Sequence, residues 1–144
     1  MHGFRLMPVF DLNLSNLNLQ CFELELIFRI VIDVLNDLDL ETQNSFFEHA
    51  TLTLNLSNNE LLKDSLLVIL DENTQFLWNF KGVELNLERT GISSTALYHS
   101  LVPFIKNINI VSLNLSSLKL NFTFIKLFCE ILPNLCLLQS LYFN

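Results

Sequence analysis

Histidine side chains are the first candidates for acid–base chemistry or metal binding, because imidazole titrates near neutral pH and ligates transition metals. The chain has three of them, His2, His49 and His99. They lie far apart, and none has a cysteine or carboxylate at the spacing of a catalytic dyad or a zinc site. We therefore expect surface or turn histidines and no catalysis.

Carboxylates and glycines offer two further chemistries, calcium binding and phosphate binding. The acidic cluster Asp37, Asp39 and Glu41 lacks the spacing and the glycine of a calcium loop, which favours a solvated acidic patch. The glycines are isolated from one another, so no glycine-rich loop can cradle a phosphate. The sequence thus predicts no catalytic residue, no metal site and no cofactor.

The three cysteines, Cys21, Cys129 and Cys136, form no CxxC pair and stand among apolar residues. An odd count without framework spacing argues against a disulfide scaffold and favours a reducing compartment. We expect these cysteines to be small buried hydrophobic residues. No segment resembles a secretory signal or reaches the roughly 20 apolar residues that cross a bilayer. The expected location is the cytoplasm.

Length and composition predict a single domain over residues 1–144. Half of the chain (51%) is hydrophobic, and a chain of this size buries roughly two thirds of its unfolded surface on folding. The net charge is −7, and the basic residues are scattered. A phosphate backbone would be repelled by such a surface, so nucleic acid is not an expected partner.

The chain repeats a short motif. Leu-Asn-Leu-Ser occurs at Leu12–Ser15, Leu54–Ser57 and Leu113–Ser116, with variants at Leu85–Glu88 and Leu141–Asn144. The leading leucines are 42, 31, 28 and 28 residues apart. Alternation of apolar and polar residues predicts short strands with leucines on one face. Each is followed by a polar turn and an apolar segment, which indicates a repeated strand–turn–helix unit.

Four helices are expected between these strands. The first covers Phe22–Leu35 and the second Asp64–Leu70. The third begins with Ser93 or Ser94 as its N-cap, and Pro103 lies late in it, where it would end or bend the helix. Its inward residues are Leu97, Leu101 and Phe104 or Ile105; those of the fourth are Ile125, Phe128, Ile131 and Leu132.

The longest interval leaves an irregular insertion near residues 38–50. Phe46 and Phe47 would attach this insertion to the core. An extra helical turn and a decayed extra repeat are both open interpretations.

These residues resemble leucine-rich repeats of the long, ribonuclease-inhibitor-like type over residues 9–144. Asn59 matches the family's asparagine, whose side chain bonds backbone groups inside the turn. Thr90 matches it in part, whereas Leu17 and Leu118 depart from it. The resemblance implies an α/β leucine-rich repeat solenoid of about four repeats plus a closing strand, with parallel strands on the concave side and helices on the convex side. The inward pattern is clearest at Ile110, Leu113, Leu115, Leu118 and Leu120. The first unit is irregular, although Val9, Leu12, Leu14, Leu17 and Leu19 fit the pattern.

In such a stack, outward residues of successive strands form a grid that serves as the usual binding surface. The first column is Asp11, Thr53, Glu84, Ser112 and Ser140. The second is Asn13, Asn55, Asn86, Asn114 and Tyr142. The third is Ser15, Ser57, Glu88, Ser116 and Asn144. The asparagines of the second column would hydrogen-bond one another, offer amides to a partner, or do both. The predicted protein-binding residues are Thr53, Asn55, Ser57, Glu84, Asn86, Glu88, Arg89, Ser112, Asn114, Ser116, Ser140 and Tyr142.

Tight binding usually needs aromatic or arginine anchors. The candidates are Trp78, Phe76, Phe80, Arg89 and Tyr142. Trp78 is expected in the core, because large aromatic side chains usually are buried.

The expected function is a protein–protein interaction module that binds a partner protein through its concave face and edges, as an inhibitor or regulator of an enzyme. An Asn-, Ile- and Phe-rich composition suggests an AT-rich genome and a bacterial pathogen's effector, delivered into a host cytosol. The alternative is the N-terminal repeat fragment of a larger receptor or effector whose catalytic domain lies elsewhere. Leu138, Leu141 and Phe143 would then face a neighbour, and self-association through this C-terminal end is a further expectation.

Overall fold

A computed structural model describes residues 8–143 as a mixed α/β fold with one five-stranded sheet. The strands pair in chain order, and all neighbours run parallel. Their bounds are β1 Val9–Asn13, β2 Thr51–Asn55, β3 Gly82–Asn86, β4 Ile110–Asn114 and β5 Ser140–Tyr142. Parallel neighbours need a crossover connection, and helices supply each one.

The connections contain one or more helical segments each. Between β1 and β2 lie α1 Cys21–Asn36 and α2 Leu40–His49. Between β2 and β3 lie α3 Ser65–Glu72 and α4 Thr74–Trp78. Between β3 and β4 lie α5 Ser94–Ala96, a π-helical segment Leu97–Leu101 and α6 Val102–Lys106. Between β4 and β5 lie α7 Phe122–Ile131 and a 3-10 turn Leu132–Asn134. Across residues 8–143, no helix has the length and apolar character that a membrane span requires.

The core lies between the leucine face of the sheet and the helices. Leu54, Leu85 and Leu113 point inward from neighbouring strands, and the helices of successive connections pack side by side against them. In β1 the inward position belongs to Phe10, while Val9 is exposed. The expectation for Val9 was wrong because alternation from Leu12 turns Phe10 inward and Val9 outward, whereas Ile110 is inward because β4 has an irregular register after it.

Strand β4 carries one extra residue. Val83 pairs with Ile110 and Glu84 pairs with Ser112, so Val111 is a bulge in the β3–β4 ladder. A Cβ at Gly82 would lie 2.6 Å from Cγ2 of Val111. Because glycine has no Cβ, the side chain of the bulged Val111 can pack against the backbone of Gly82.

The insertion near residues 38–50 forms helix α2 and adds no strand, because β1 pairs directly with β2. Asp39 caps this helix, and its carboxylate accepts hydrogen bonds from the backbone N–H and the hydroxyl of Thr42 at 2.7 and 2.9 Å. These two bonds lower the pKa of Asp39. Phe46 and Phe47 are half-buried against the core, as predicted. The insertion is thus a ten-residue helix, which is longer than a single extra helical turn.

The third connection changes from α-helical to π-helical geometry just before its proline. Ser93 is the N-cap, since its hydroxyl accepts from the N–H of Ala96 at 3.2 Å. The π-helical segment Leu97–Leu101 precedes Pro103, which lacks an N–H and would clash with the carbonyl four residues earlier in a regular helix.

Helix α7 buries a different set of side chains from the expected one. Its buried residues are Phe124, Phe128 and Ile131, while Ile125 is exposed. Asn121 caps this helix by accepting from the N–H of Phe124 at 2.8 Å. Phe124 therefore takes the inward position that the spacing assigned to Ile125.

The turn after each of the first four strands contains a residue in the left-handed region. These residues stand at equivalent positions of the repeated unit: Asn16, Asn58, Arg89 and Ser117, with φ of 59°, 59°, 52° and 60°. Backbone hydrogen bonds continue the strand ladder into these turns, for example from Asn58 to the carbonyl of Glu88 at 2.9 Å. Asparagine tolerates this conformation better than arginine or serine, so two of the four turns are strained.

Replacing Gly91 with alanine is expected to lower the free energy of unfolding by about 2 kcal/mol. Gly91 has φ of +78°, and a Cβ there would lie 2.8 Å from the carbonyl oxygen of Glu60. Ser117→Gly is the opposite control, because it relieves positive φ and is expected to stabilise by about 0.5 kcal/mol. Urea unfolding followed by circular dichroism measures both changes. A neutral Gly91→Ala variant would contradict the close approach to Glu60.

Candidate functional site

The sheet face opposite the core carries the predicted grid. We call it the open face and define it by the two columns that the strand register aligns. The first column is Asp11, Thr53, Glu84, Ser112 and Ser140. The second is Asn13, Asn55, Asn86, Asn114 and Tyr142. Every one of these side chains is exposed or half-buried. The leucine spacing alone was enough to predict which residues share a column, because a slip by one residue would turn every leucine outward.

The third column contributes less to this surface. Ser57 and Ser116 are 5% and 7% exposed, so their hydroxyls are withdrawn from the candidate site. Ser15 and Glu88 are half-buried, and Asn144 lies outside the described residues. Ser57 and Ser116 stay predicted binding residues, but little of either side chain is accessible to a partner.

The asparagine side chains of the second column accept hydrogen bonds from the backbone just after their own strands. The Oδ1 atom of Asn55 accepts from the N–H and the hydroxyl of Ser57 at 3.0 and 2.7 Å. Asn86 and Asn114 accept from the N–H two residues later at 3.0 and 2.9 Å. Within the described chain, no hydrogen bond joins one of these amides to the next. The expected amide ladder is therefore absent there, because asparagine satisfies a nearby backbone donor first.

The open face carries acidic side chains on its first strand and on its central strand. Asp11 and Glu84 are exposed, and Glu84 accepts a hydrogen bond from the hydroxyl of Thr53 at 2.9 Å. Glu88 and Arg89 follow β3 at the edge. The surface can therefore accept hydrogen bonds and attract cationic side chains.

Arg89 borders a depression beyond the carboxyl ends of β2 and β3. Its volume is about 570 Å³, and Asn18, Asn58, Glu60, Leu61 and Arg89 line it. Leu61 is exposed, so the depression combines an apolar wall with a guanidinium and a carboxylate. The sequence pointed to Arg89 but missed its neighbours. Two of the four left-handed positions after strands hold asparagine, Asn16 and Asn58, and an asparagine directly after a strand is the signal that would have found Asn58.

The candidate anchors divide into three groups. Phe80 is fully buried and Phe76 is half-buried, so neither can anchor a partner on the open face. Trp78 is 59% exposed on helix α4, contrary to its expected burial. Tyr142 is 54% exposed in β5 and remains the aromatic side chain of the open face.

Residues with potential for chemistry are dispersed. Among residues 8–143, no group of three or more His, Cys, Asp or Glu side chains could hold a metal ion. Cys129 and Cys136 are exposed free thiols, and Cys21 is half-buried, so the expectation of buried cysteines was wrong for two of them. The rings of Tyr98 and His99 pack edge to face, with their centroids 4.8 Å apart. His2 lies outside the described residues.

Comparison with protein families, curated proteins and solved structures finds no match for this chain.

Proposed function

We propose that this chain is a leucine-rich-repeat solenoid that binds another protein. The binding surface is the open face together with the depression that Arg89 borders. The observation that carries the proposal is the open face, on which five strands in register present two columns of exposed or half-buried side chains. A polar sheet face of this kind suits a broad protein partner, since it offers many hydrogen-bonding groups and little enclosed volume.

The repeat assignment is supported by features that recur at the same position of each unit. Leucines align across the sheet, and a left-handed residue follows four of the strands. Asn59 also supports it. Its buried amide bonds the backbone of its own turn and that of the preceding unit, which is the role of the family's asparagine.

The charges indicate the chemistry of the partner. Asp11, Glu84 and Glu88 flank neutral asparagine and serine groups, so a complementary surface carries lysine or arginine beside hydrogen-bond donors. We favour an enzyme with a basic rim around its active site, which the module would cover as an inhibitor or regulator. The setting we propose is a bacterial effector acting on such an enzyme in a host cytosol, with no catalytic residue in this chain.

Affinity capture from host-cell lysate, compared between the unchanged chain and Ser112→Arg, tests this proposal. Ser112 is half-buried in the first column, on β4 between Glu84 and Ser140, so an arginine there would obstruct the open face. The matched control is Ser100→Arg, which places the same change at an exposed position of the helical layer. Thermal unfolding of both variants checks that they fold.

For a captured partner, Ser112→Arg is expected to weaken binding about thirtyfold or more, equivalent to about 2 kcal/mol, while Ser100→Arg has no effect. Raising the salt concentration is expected to weaken binding as well, because the complementary charges are screened. Equal affinity for both variants would remove the open face as the binding site.

A further inference from the structure

Helix α1 has two apolar sides. Leu24, Phe28 and Leu35 are buried in the core. A second row recurs every four residues, and each member is more than half exposed: Phe22, Leu26, Ile30 and Val34. Side chains four residues apart lie above one another on a helix, so these form a continuous strip that we call the α1 row. A strip of large apolar side chains in water marks an interaction surface.

The last unit exposes apolar side chains too. Phe122 is 79% exposed at the start of α7, and Ile125 is exposed one turn later. Leu137 and Phe143 are also exposed around β5. We call these four residues the α7 end. It extends the apolar surface that the sequence predicted at Leu138, Leu141 and Phe143, of which only Phe143 is exposed and the two leucines are half-buried.

The two surfaces lie at opposite ends of the molecule. Strands β1 and β5 are the two edges of the sheet. The helix layer follows the same order, since α1 packs on α3, α3 on the π-helical segment, and that segment on α7. Each end therefore combines an edge strand with an exposed apolar helix face.

The two ends have matching backbone geometry. Each internal junction joins one strand to the next in parallel, with leucine opposite leucine, as Leu12 lies opposite Leu54. In residues 8–143 the outer edge of β5 is equivalent to the edge that β1 presents to β2. A second copy could therefore place its β1 beside β5, with its Leu12 opposite Leu141, and repeat the β1–β2 junction.

Charge favours a contact between the first unit of one copy and the last unit of another over a contact between two first units. The first unit has one described basic residue, Arg29, against many acidic ones: Asp11, Glu23, Glu25, Asp33, Asp37, Asp39, Glu41 and Glu48. The last unit instead has Lys119 and Lys126 against Glu130. Two first units would repel each other, whereas a first unit attracts a last unit.

We propose that copies of this chain associate head to tail, with the α1 row and β1 of one copy against the α7 end and β5 of the next. Such a contact joins two different surfaces, so it leaves a free surface at each end and allows growth beyond a dimer. It does not use the open face, and it stands or falls independently of the proposed function.

Sedimentation velocity of the full chain, from low to high micromolar concentration, tests the proposal. A reducing agent is needed because Cys129 and Cys136 are exposed thiols. The average mass is expected to rise from 16.7 kDa past twice that value without a plateau at the dimer. Ser112→Arg on the open face is expected to leave this behaviour unchanged.

Two blocked variants make the test specific. Leu26→Lys with Ile30→Lys blocks the α1 row, and Phe122→Glu with Ile125→Glu blocks the α7 end. All four positions are exposed, so the variants are expected to fold, and circular dichroism checks this. The matched control is Val68→Lys, an exposed position on α3 in the middle of the helix layer.

Each blocked variant alone is expected to be monomeric, and an equimolar mixture of the two is expected to form a dimer and stop, because each supplies one intact end. Val68→Lys is expected to associate like the unchanged chain. A chain that stays monomeric at every concentration would overturn the proposal, and would leave these surfaces to other occupants. A dimer plateau that survives blocking of one end, or a mixture that stays monomeric, would overturn it as well.

Discussion

Replacing Phe80 with alanine is expected to lower the free energy of unfolding by about 4 kcal/mol. Phe80 is fully buried, and its ring lies at the centre of an aromatic cluster. The ring centroids of Phe47, Phe76, Phe46 and Phe10 lie 5.1, 5.3, 5.9 and 6.2 Å from it. Removing this ring leaves a cavity shared by β1, α2 and α4, which cannot all collapse into it together.

Trp78→Ala is the matched control, since it removes an aromatic ring two residues away. Trp78 is largely exposed, so its removal is expected to change stability by about 0.5 kcal/mol or less. Urea unfolding followed by far-UV circular dichroism measures both variants. Hydrogen exchange adds a local readout, because Phe80→Ala is expected to speed exchange in α2, which Phe46 and Phe47 attach to the cluster. Equal losses for the two variants would contradict the buried position of Phe80.

Replacing Asn59 with alanine is expected to cost about 3 kcal/mol of stability. Asn59 is fully buried. Its Oδ1 accepts from the N–H groups of Leu17 and Leu19 at 3.2 and 3.0 Å. Its Nδ2 donates to the carbonyls of Leu14 and Leu56 at 2.8 and 2.9 Å. Alanine would leave these backbone groups without partners in a buried turn, which costs more than the hydrogen bonds themselves contribute.

Equivalent positions of other units provide a graded comparison. Thr90 is buried and makes a single side-chain hydrogen bond, to the carbonyl of Leu87 at 2.8 Å, so Thr90→Val is expected to cost about 1 kcal/mol. Asn59→Leu, which copies Leu118, fills the space without satisfying the backbone and is expected to remain strongly destabilising. Asn44→Ala on the exposed side of α2 is the control and is expected to be neutral or slightly stabilising. A small loss for Asn59→Ala would show that the first two units hold together without this amide.

Much of the open face could be predicted from the repeated motif. The leucines of Leu54–Ser57 and its counterparts fixed which residues point inward, and hence that Asn55, Asn86 and Asn114 share a column. The side-chain period of a strand is two residues, so burying one set of leucines leaves a single register. Helix caps such as Ser93 were readable for the same local reason.

Other assignments failed because they depend on contacts between distant segments. Sequence spacing could not show that Phe80 is enclosed by aromatic side chains of β1, α2 and α4 whereas Trp78 is exposed. It also could not show that Ser57 and Ser116 turn inward, or that Phe124 replaces Ile125 in the core. Each outcome depends on which neighbouring unit covers a side chain.

The sequence by itself determined the repeated unit, the parallel order implied by strand–helix alternation, and the polar columns of the open face. The tertiary structure alone decided which aromatic side chains are buried, that the asparagines bond their own turns, and that α1 exposes a second apolar row. The physical reason is that periodicity reports how a residue is oriented relative to its own backbone. Whether the surface it points to is covered depends on another segment, or on another molecule.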